Sequence, residues 1–245
     1  MKIRLDQLLV QRGFAETRSK AGAIILAGSV MVRGIPVTKA GTAIEEDSEI
    51  TVKSLPKFVS RAGAKLEAAL DAFSIDVTGS IAIDIGASTG GFIDLMLQRG
   101  ALKVFAVDVG HNQLHWKLRS DERVVTLEGV NARLLDPDLI GCICDIATFD
   151  VSFISLKLVI PPVLKVLKTP SRIVALIKPQ FEAGKEHIGK GGLLKNLAVA
   201  QEIIHDMKEF LSGLNCEVVG TIPSPVKGVK GNQEYLVYAL YKGER

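Results

Sequence analysis

The sequence predicts an α/β protein in which a Rossmann-like, doubly wound parallel sheet follows a small, basic α+β domain. Three observations support this prediction. Apolar runs that end in a charged residue recur in the second part of the chain, at 81–84, 104–108, 148–150 and 173–178. A glycine-rich turn at 86–91 follows the first run. Positive charge is concentrated at the start, because residues 1–44 hold seven Lys or Arg and two Asp or Glu.

Composition narrows the classes of protein that fit this chain. With 245 residues, 47% of them hydrophobic, it is long enough to bury a core in each of two domains. No apolar run approaches the roughly 18 residues that would span a membrane, and the charged start 1–6 lacks the apolar centre of a secretory signal. Its three cysteines have no metal-binding spacing. We therefore expect a cytoplasmic monomer or weak dimer with no metal and no protein partner.

The first domain is predicted to be two short helices followed by short strands. Leu5, Leu8 and Leu9 share one face of a helix at 4–12, and Thr17 can cap a second helix that ends at Gly28. Apolar residues then alternate with polar ones from 30 to 52. We predict that this domain covers residues 1–53 and that 54–59 form a linker.

The same stretch carries a family pattern. R-L-D-x-L-L, T-R-S-K-A-x-x-I-I-x-A-G-x-V-x-V-x-G, V-x-K-A-G and D-x-E-I-T-V, at 3–53, resemble the RNA-binding domain named after ribosomal small-subunit protein S-four. The resemblance implies that basic side chains of this domain face structured RNA and contact its phosphates. By position, the candidates are Arg4, Arg12, Arg18, Lys20, Arg33 and Lys39.

The second domain, 60–245, is predicted to start with a helix at 61–73 and to continue through at least five βα units. In an open parallel sheet, ligands bind outside the carboxyl ends of the strands. The charged residues that end four of the predicted strands should therefore converge on one crevice. They are Asp84, Asp108, Asp150 and Lys178.

The glycine-rich turn indicates which cofactor fits. A dinucleotide fingerprint needs glycine at its first, third and sixth positions, but Ser88 occupies the third. Its side chain obstructs a pyrophosphate, which disfavours an NAD-dependent oxidoreductase, whereas S-adenosylmethionine has no phosphate. Asp108 lies 22 residues after Gly86, and its carboxylate can accept hydrogen bonds from both hydroxyls of the cofactor's ribose. The predicted cofactor-binding residues are Asp84, Gly86, Ala87, Ser88, Gly90, Gly91, Phe92, Asp108 and Asn131.

A second resemblance covers nearly the whole chain. Residues 60–241 resemble the FtsJ-like ribose methyltransferases, and the chain is similar to the TlyA (hemolysin A) family through S-R-A-G-A-K-L, D-I-G-A-S-T-G-G-F, D-V-S-F-I-S-L, I-K-P-Q-F-E-A-G-K and G-N-Q-E-Y-L. It implies methyl transfer from S-adenosylmethionine to a cytidine 2′-hydroxyl in ribosomal RNA. The implied catalytic set is Lys65, Asp150, Lys178 and Glu234. One departure is Ala62, where a second glycine is expected before Lys65.

These four residue types suit the reaction. A ribose 2′-hydroxyl is a poor nucleophile, so Lys178 would accept its proton, and burial beside Lys65 would favour the neutral amine. Asp150 and Glu234 would orient the two lysines. Lys185 and Lys190 lie in a glycine- and lysine-rich loop, 182–196, which we expect to be mobile without RNA and to clamp phosphates.

Two other functions remain open at this point. One is a non-catalytic RNA-binding or ribosome-assembly factor that keeps the cofactor pocket. The other is a membrane-active hemolysin, which is disfavoured because the sequence contains no long apolar helix and no signal.

Overall fold

Contacts divide the chain into two units, Met1–Lys57 and Phe58–Arg245. The computed structural model describes residues 2–53, 57–184, 187–189, 192–194, 196–228 and 231–243. The linker predicted at 54–59 stays a prediction, since residues 54–56 lie outside the described ranges.

The first unit has the predicted pair of helices, α1 (Leu5–Gln11) and α2 (Arg18–Leu26). Thr17 caps α2, because its hydroxyl accepts a hydrogen bond of 3.2 Å from the backbone N–H of Lys20. Five short strands form two antiparallel sheets, β1 with β4, and β2 between β3 and β5. The strands are β1 (Lys2–Arg4), β2 (Val30–Val32), β3 (Ile35–Pro36), β4 (Ala43–Glu45) and β5 (Ile50–Val52). A small apolar core joins them through Leu5, Leu8, Leu9, Ala21, Ile25, Val30 and Ile44.

The second unit alternates strands and helices as predicted. Its strands are β6 (Ile81–Ile85), β7 (Lys103–Asp108), β8 (Val124–Glu128), β9 (Cys144–Phe149), β10 (Leu167–Ile177), β11 (Cys216–Pro223) and β12 (Tyr235–Tyr241). Its helices are α3 (Ala62–Ala72), α4 (Gly91–Gln98), α5 (Trp116–Arg119), α6 (Pro137–Ile140), α7 (Leu156–Leu164), α8 (Pro179–Glu182) and α9 (Leu197–Gly213), with a 3₁₀ turn at Ala132–Leu134.

The seven strands form one sheet in the order β11-β12-β10-β9-β6-β7-β8. Strands β10, β9, β6, β7 and β8 run parallel, whereas β12 is antiparallel to both β10 and β11. From β6 the chain places β7 and then β8 on one side of β6, and β9 then pairs with the other side of β6. The strand order thus reverses between β6 and β9, which is where a doubly wound sheet opens a binding crevice.

Apolar side chains fill both faces of this sheet, as expected for strands covered by helices on both sides. Ile83 and Phe105 belong to the core on the side of α7 and α9. Ala82 and Val104 point into the core on the side of α3 and α4. Within the described ranges, none of the helices combines the length and apolar character needed to cross a membrane.

Candidate active site

A cavity of about 520 Å³ lies where β6, β9 and β10 end. It brings together most of the residues that the sequence predicted for the site. The predicted residues that line it are Lys65, Asp84, Gly86, Ala87, Ser88, Gly91, Phe92, Asp150, Lys178 and Glu234. Gly90, Asp108 and Asn131 are not among its lining residues.

Close backbone contact explains the first glycine of the turn. Ile85 and Phe149 are neighbours in the β6–β9 register, and the N–H of Asp150 donates a 2.9 Å hydrogen bond to the carbonyl of Ile85. Gly86, at φ +83°, therefore lies against Asp150, and a Cβ there would come within 2.7 Å of the Asp150 carbonyl oxygen. Only glycine combines this backbone angle with so close an approach.

The last glycine of the turn packs against the segment before α3. A Cβ on Gly91 would collide with the hydroxyl of Ser60 and lie 2.8 Å from the backbone nitrogen of Gly63. That hydroxyl is buried, lines the cavity and has no hydrogen-bond partner among the described residues. Gln180 Oε1, also in the cavity wall, is equally unsatisfied. Buried polar atoms normally have partners, so both are available to a ligand.

Asp108 holds the turn from outside the cavity. One carboxylate oxygen accepts a 2.8 Å hydrogen bond from the N–H of Ser88, and the other accepts one of 2.7 Å from the N–H of Gly110. Each oxygen keeps a further lone pair for a ribose hydroxyl. Asn131 is exposed, and its side chain accepts from the N–H of Arg133 at the start of the 3₁₀ turn.

Asp84 lies inside β6, one residue before the end of the strand, and its carboxyl is almost completely buried. Burial raises the pKa of Asp84 to about 7, and the negative charges of Asp150 and Asp108 act in the same direction. A 2.6 Å hydrogen bond from the hydroxyl of Thr148 opposes this shift. Asp84 is thus a carboxyl that holds its proton up to near-neutral pH.

Lys178 follows β10 and reaches two groups that follow β9. Its Nζ lies 2.8 Å from Asp150 Oδ1, an ion pair whose geometry is not that of a hydrogen bond. The same Nζ donates a 2.7 Å hydrogen bond to Ser152 Oγ. Only 10% of the Lys178 side chain is exposed, so these contacts fix the ammonium at the cavity wall.

Lys65 forms the second lysine–carboxylate pair. Its Nζ, on α3, donates a 2.6 Å hydrogen bond to Glu234 Oε2, directly before β12. Both side chains are buried, with 11% and 3% exposed. The family resemblance implied two lysines and two carboxylates as the catalytic set. Each lysine is paired with one of the carboxylates, and all four residues line one cavity.

Sequence reasoning missed an aromatic edge of the cavity. Phe153 has 90% of its surface exposed and a φ of +64°, which is costly for a bulky residue. Its ring lies 4.9 Å from that of Phe181, and both residues line the cavity. The signal was present in D-V-S-F and K-P-Q-F, where each Phe follows a predicted strand end by a few residues.

Most of the predicted RNA-binding residues have intramolecular partners. Arg4 and Arg18 each lie 3.0 Å from the buried carboxylate of Asp6, and these contacts hold the pKa of Asp6 well below its usual range. Arg12 donates to the carbonyl of Ser48 at 2.8 Å and to that of Glu46.

The other basic candidates divide into three groups. Lys20 pairs with Glu16, and Arg33 with Glu45. Lys39 is exposed, and its side chain has no ion pair with any residue that the structure describes. Lys185 and Lys190 lie outside the described residues.

The described ranges contain no group of three or more His, Cys, Asp or Glu side chains that could hold a metal ion.

Family models match both units of the chain. The model of FtsJ-like methyltransferases matches residues 58–241, and the model of the S4 domain matches residues 3–50.

Three relatives match over nearly the full length of the chain. YqxC of Bacillus subtilis is 46% identical and covers 99% of this chain, with 87% of the relative covered. Hemolysin A of Brachyspira hyodysenteriae is 44% identical over 97% of this chain and 100% of its own length. The 16S/23S rRNA (cytidine-2′-O)-methyltransferase TlyA of Mycobacterium tuberculosis is 41% identical over 100% of this chain and 92% of its own.

Solved structures agree with the fold. A Streptococcus thermophilus protein described as a hemolysin has a TM-score of 0.76 and 42% identity, covering 99% of this chain and 90% of that one. Magnesium protoporphyrin IX methyltransferase of Synechocystis, solved with bound SAH, has a TM-score of 0.51 and 13% identity, covering 74% of this chain and 82% of that one. The second likeness concerns the fold alone.

A paired substitution tests the close contact at Gly86. Gly79→Ala places a side chain at φ +70° with nothing within 4 Å, so it should cost only the backbone term of about 1–2 kcal/mol. Gly86→Ala adds the collision with Asp150, so it should destabilise the protein further and weaken S-adenosylmethionine binding. Thermal unfolding and calorimetric titration measure both effects. Equal values for the two variants would show that the contact does not matter.

Burial of Asp84 predicts a pH dependence of stability. Between about pH 4 and pH 7 the folded carboxyl keeps its proton and the unfolded one has lost it. The free energy of unfolding should therefore fall as pH rises, by about 1.4 kcal/mol per unit relative to Asp84→Asn. Urea unfolding across this range measures the difference. Glu202→Gln, which changes an exposed carboxyl on α9, is the control and should parallel the wild type.

Proposed function

Because this chain belongs to the FtsJ-like methyltransferase family, we propose that it transfers a methyl group from S-adenosylmethionine to the ribose 2′-hydroxyl of a cytidine in ribosomal RNA. The observation that carries the proposal is the pair of buried lysine–carboxylate contacts, Lys178 with Asp150 and Lys65 with Glu234, that face one cavity. The TlyA relative at 41% identity supports the choice of nucleotide and position.

The cavity wall suits S-adenosylmethionine. The turn 86–91 supplies much of the cavity wall, Ser88 stands where a dinucleotide fingerprint needs glycine, and the hydroxyl of Ser60 is buried without a partner among the described residues. Asp108 would accept hydrogen bonds from the ribose hydroxyls at the outer end of the site. When bound, this cofactor supplies a methyl group on a positively charged sulfur, which is a strong electrophile.

The protein's part is to activate the hydroxyl. For the transfer, Lys178 must first lose a proton; its Nζ then accepts the 2′-hydroxyl proton while the oxygen bonds to the methyl carbon and the carbon–sulfur bond breaks. Asp150 and Ser152 orient Nζ of Lys178 from the β9 side. Glu234 balances the charge of Lys65, so the cavity presents an oriented second ammonium to the ribose without an uncompensated charge.

The target nucleotide needs a surface for its base as well as for its ribose. The exposed ring of Phe153, backed by Phe181, offers a face on which a base can stack. Phe153 holds its ring in solvent on a strained backbone, and a substrate base that covers the ring would account for this arrangement. We therefore expect the cytidine to leave its stack when it enters the cavity, as enzymes that modify nucleotides in structured nucleic acid often require.

Binding of folded RNA is assigned to the S4 domain. Arg4 and Arg18 share one buried carboxylate, and the free donors of two guanidiniums held in this way can contact phosphates. Arg12, in contrast, donates to two backbone carbonyls within the domain, so its role is to hold the fold. We propose ribosomal subunits as the substrate, and a cytoplasmic protein that works as a monomer or weak dimer.

Methyl transfer to unmodified ribosomal subunits tests the proposed function. Wild-type protein and labelled S-adenosylmethionine should give label at one nucleotide whose linkage resists alkali, because a methylated 2′-oxygen cannot attack the phosphate. Lys178→Ala should lower the rate by about 10²–10⁴, the usual effect of losing a general base. Lys165→Ala, an exposed lysine outside the cavity, should keep the wild-type rate. Cofactor binding without label on either subunit would favour a non-catalytic assembly factor.

Two basic residues of the S4 domain should respond differently to alanine. Lys39→Ala should weaken RNA binding and lower the slope of log affinity against log salt by roughly 0.7–0.9, the contribution of one phosphate contact. Arg12→Ala should instead lower the melting temperature, since two backbone carbonyls of the domain lose a charged donor, and a hydrogen bond to a charged group is worth about 1.5–3 kcal/mol. Filter binding over a salt series and thermal unfolding distinguish them. A salt-slope effect without a stability effect for Arg12→Ala would place Arg12 on the RNA.

A further inference from the structure

A buried amide joins two segments that border the candidate active site. Asn232 is 7% exposed and lies two residues before Glu234. Its Oδ1 accepts a 3.0 Å hydrogen bond from the N–H of Leu194, and its Nδ2 donates one of 2.8 Å to the carbonyl of Gly192. Both bonds cross about forty positions of sequence, so they are tertiary contacts between the loop after α8 and the approach to β12.

The loop side of this contact is a small turn with internal hydrogen bonds. Ile188 and Leu194 form an antiparallel bridge. The N–H of Gly189 donates to the carbonyl of Leu193 at 2.8 Å, and that of Gly192 to the carbonyl of Gly189 at 3.1 Å. Gly192 lines the cavity. The amide of Asn232 therefore holds an already formed turn against the cavity edge.

The other side of the contact supports Glu234. The carbonyl of Asn232 accepts a 3.0 Å hydrogen bond from the N–H of Gly228. Gly228 packs directly on the carboxylate, because a Cβ there would lie 2.5 Å from Glu234 Oε1. Gly192, Gly228, Asn232 and Glu234 all line the cavity. One residue thus fixes the turn and the backbone that covers the Lys65–Glu234 pair.

A primary amide is suited to this position. It presents an acceptor and a donor side by side, and both are needed here, one for a backbone N–H and one for a carbonyl. An apolar residue of the same size would leave both backbone groups unsatisfied beside the cavity, which is unfavourable. A carboxylate could accept the hydrogen bond from the N–H of Leu194 but could not donate one to the carbonyl of Gly192. It would also place a negative charge near Glu234.

We propose that Asn232 is a positioning residue for the RNA substrate. Its amide docks the hydrogen-bonded segments 187–189 and 192–194 on the edge of the cavity and so completes the wall against which the target nucleotide is held. Asn232 acts through the turn and does not contact the reacting atoms. The assignment to RNA rests on the function proposed above, whereas the docking of the turn does not.

Limited trypsin digestion of the full chain tests the docking without any catalysis. The sequence places Lys185, Lys190 and Lys195 in this loop. Asn232→Ala should accelerate cleavage within the loop about tenfold, as expected for the net loss of roughly 1.4 kcal/mol. Asn232→Asp, which keeps only the acceptor, should also accelerate it. Asn215→Gly is the control, because it removes another side-chain bond to a backbone carbonyl, that of Gly243, at a residue outside the cavity lining whose φ of +57° suits glycine.

Steady-state kinetics with ribosomal subunits test the link to substrate. Asn232→Ala should raise KM for RNA about tenfold and leave the dissociation constant of S-adenosylmethionine within about twofold. Cleavage that is unchanged, or equally fast in Asn215→Gly, would overturn the docking role. Faster cleavage with an unchanged KM would overturn the substrate role. A wild type that transfers no methyl group would refute the proposed function, while the digestion result would still decide whether Asn232 anchors the turn.

Discussion

The pairing of β6 with β9 is the constraint on which the site depends. These strands are neighbours in space but are separated in sequence by β7 and β8, and their register sets Gly86 beside Asp150. The glycine turn that we propose for the cofactor and the carboxylate that pairs with Lys178 are thereby held in direct backbone contact. A shift of the register by one residue would turn every side chain of β9 to the opposite face. Position in the sheet, more than any single side chain, thus sets the separation between the glycine turn and the Lys178–Asp150 pair.

The two lysine–carboxylate pairs serve geometry more than stability. Removing ions from water costs about as much as their attraction returns, so a buried pair is a weak source of folding free energy. The contribution of these pairs is instead to fix where the charged side chains lie. Lys65 and Glu234 are 169 positions apart, and their contact ties α3 to the start of β12 across the cavity. Breaking either pair would leave an uncompensated buried charge, which makes the arrangement intolerant of change.

Local patterns were enough to predict the architecture. Apolar runs, glycine positions and the Thr17 cap are properties of short segments, and the structure has the predicted strands, helices and doubly wound sheet. The resemblance to known families supplied the four polar residues that the cavity brings together. Because strands β6, β9 and β10 end at the same edge, Asp150 and Lys178 could be expected to meet.

Tertiary partners were beyond what the sequence could predict. Position in the family pattern made Arg12 a candidate for RNA binding, and nothing in the sequence indicated that its guanidinium donates to two carbonyls 34 and 36 positions away. Nothing in the sequence indicated that the carboxylate of Asp108, predicted to bind the cofactor, also accepts hydrogen bonds from the N–H groups of Ser88 and Gly110. Ser152 and Asn232 gave no signal of their own, since a serine or asparagine in a loop becomes informative only when the groups around it are known.

The place of β12 in the sheet has a consequence for how the chain folds during synthesis. Among the described strands of this sheet it comes last in the sequence, yet it lies between β10 and β11 and is the only described partner of β11. Until it emerges, β10 presents an unpaired edge, which is a template for association with other chains. The parallel part of the sheet can assemble early, but the carboxylate that pairs with Lys65 arrives with the closing strand. The Lys65–Glu234 pair and protection of that edge are therefore acquired in the same late step.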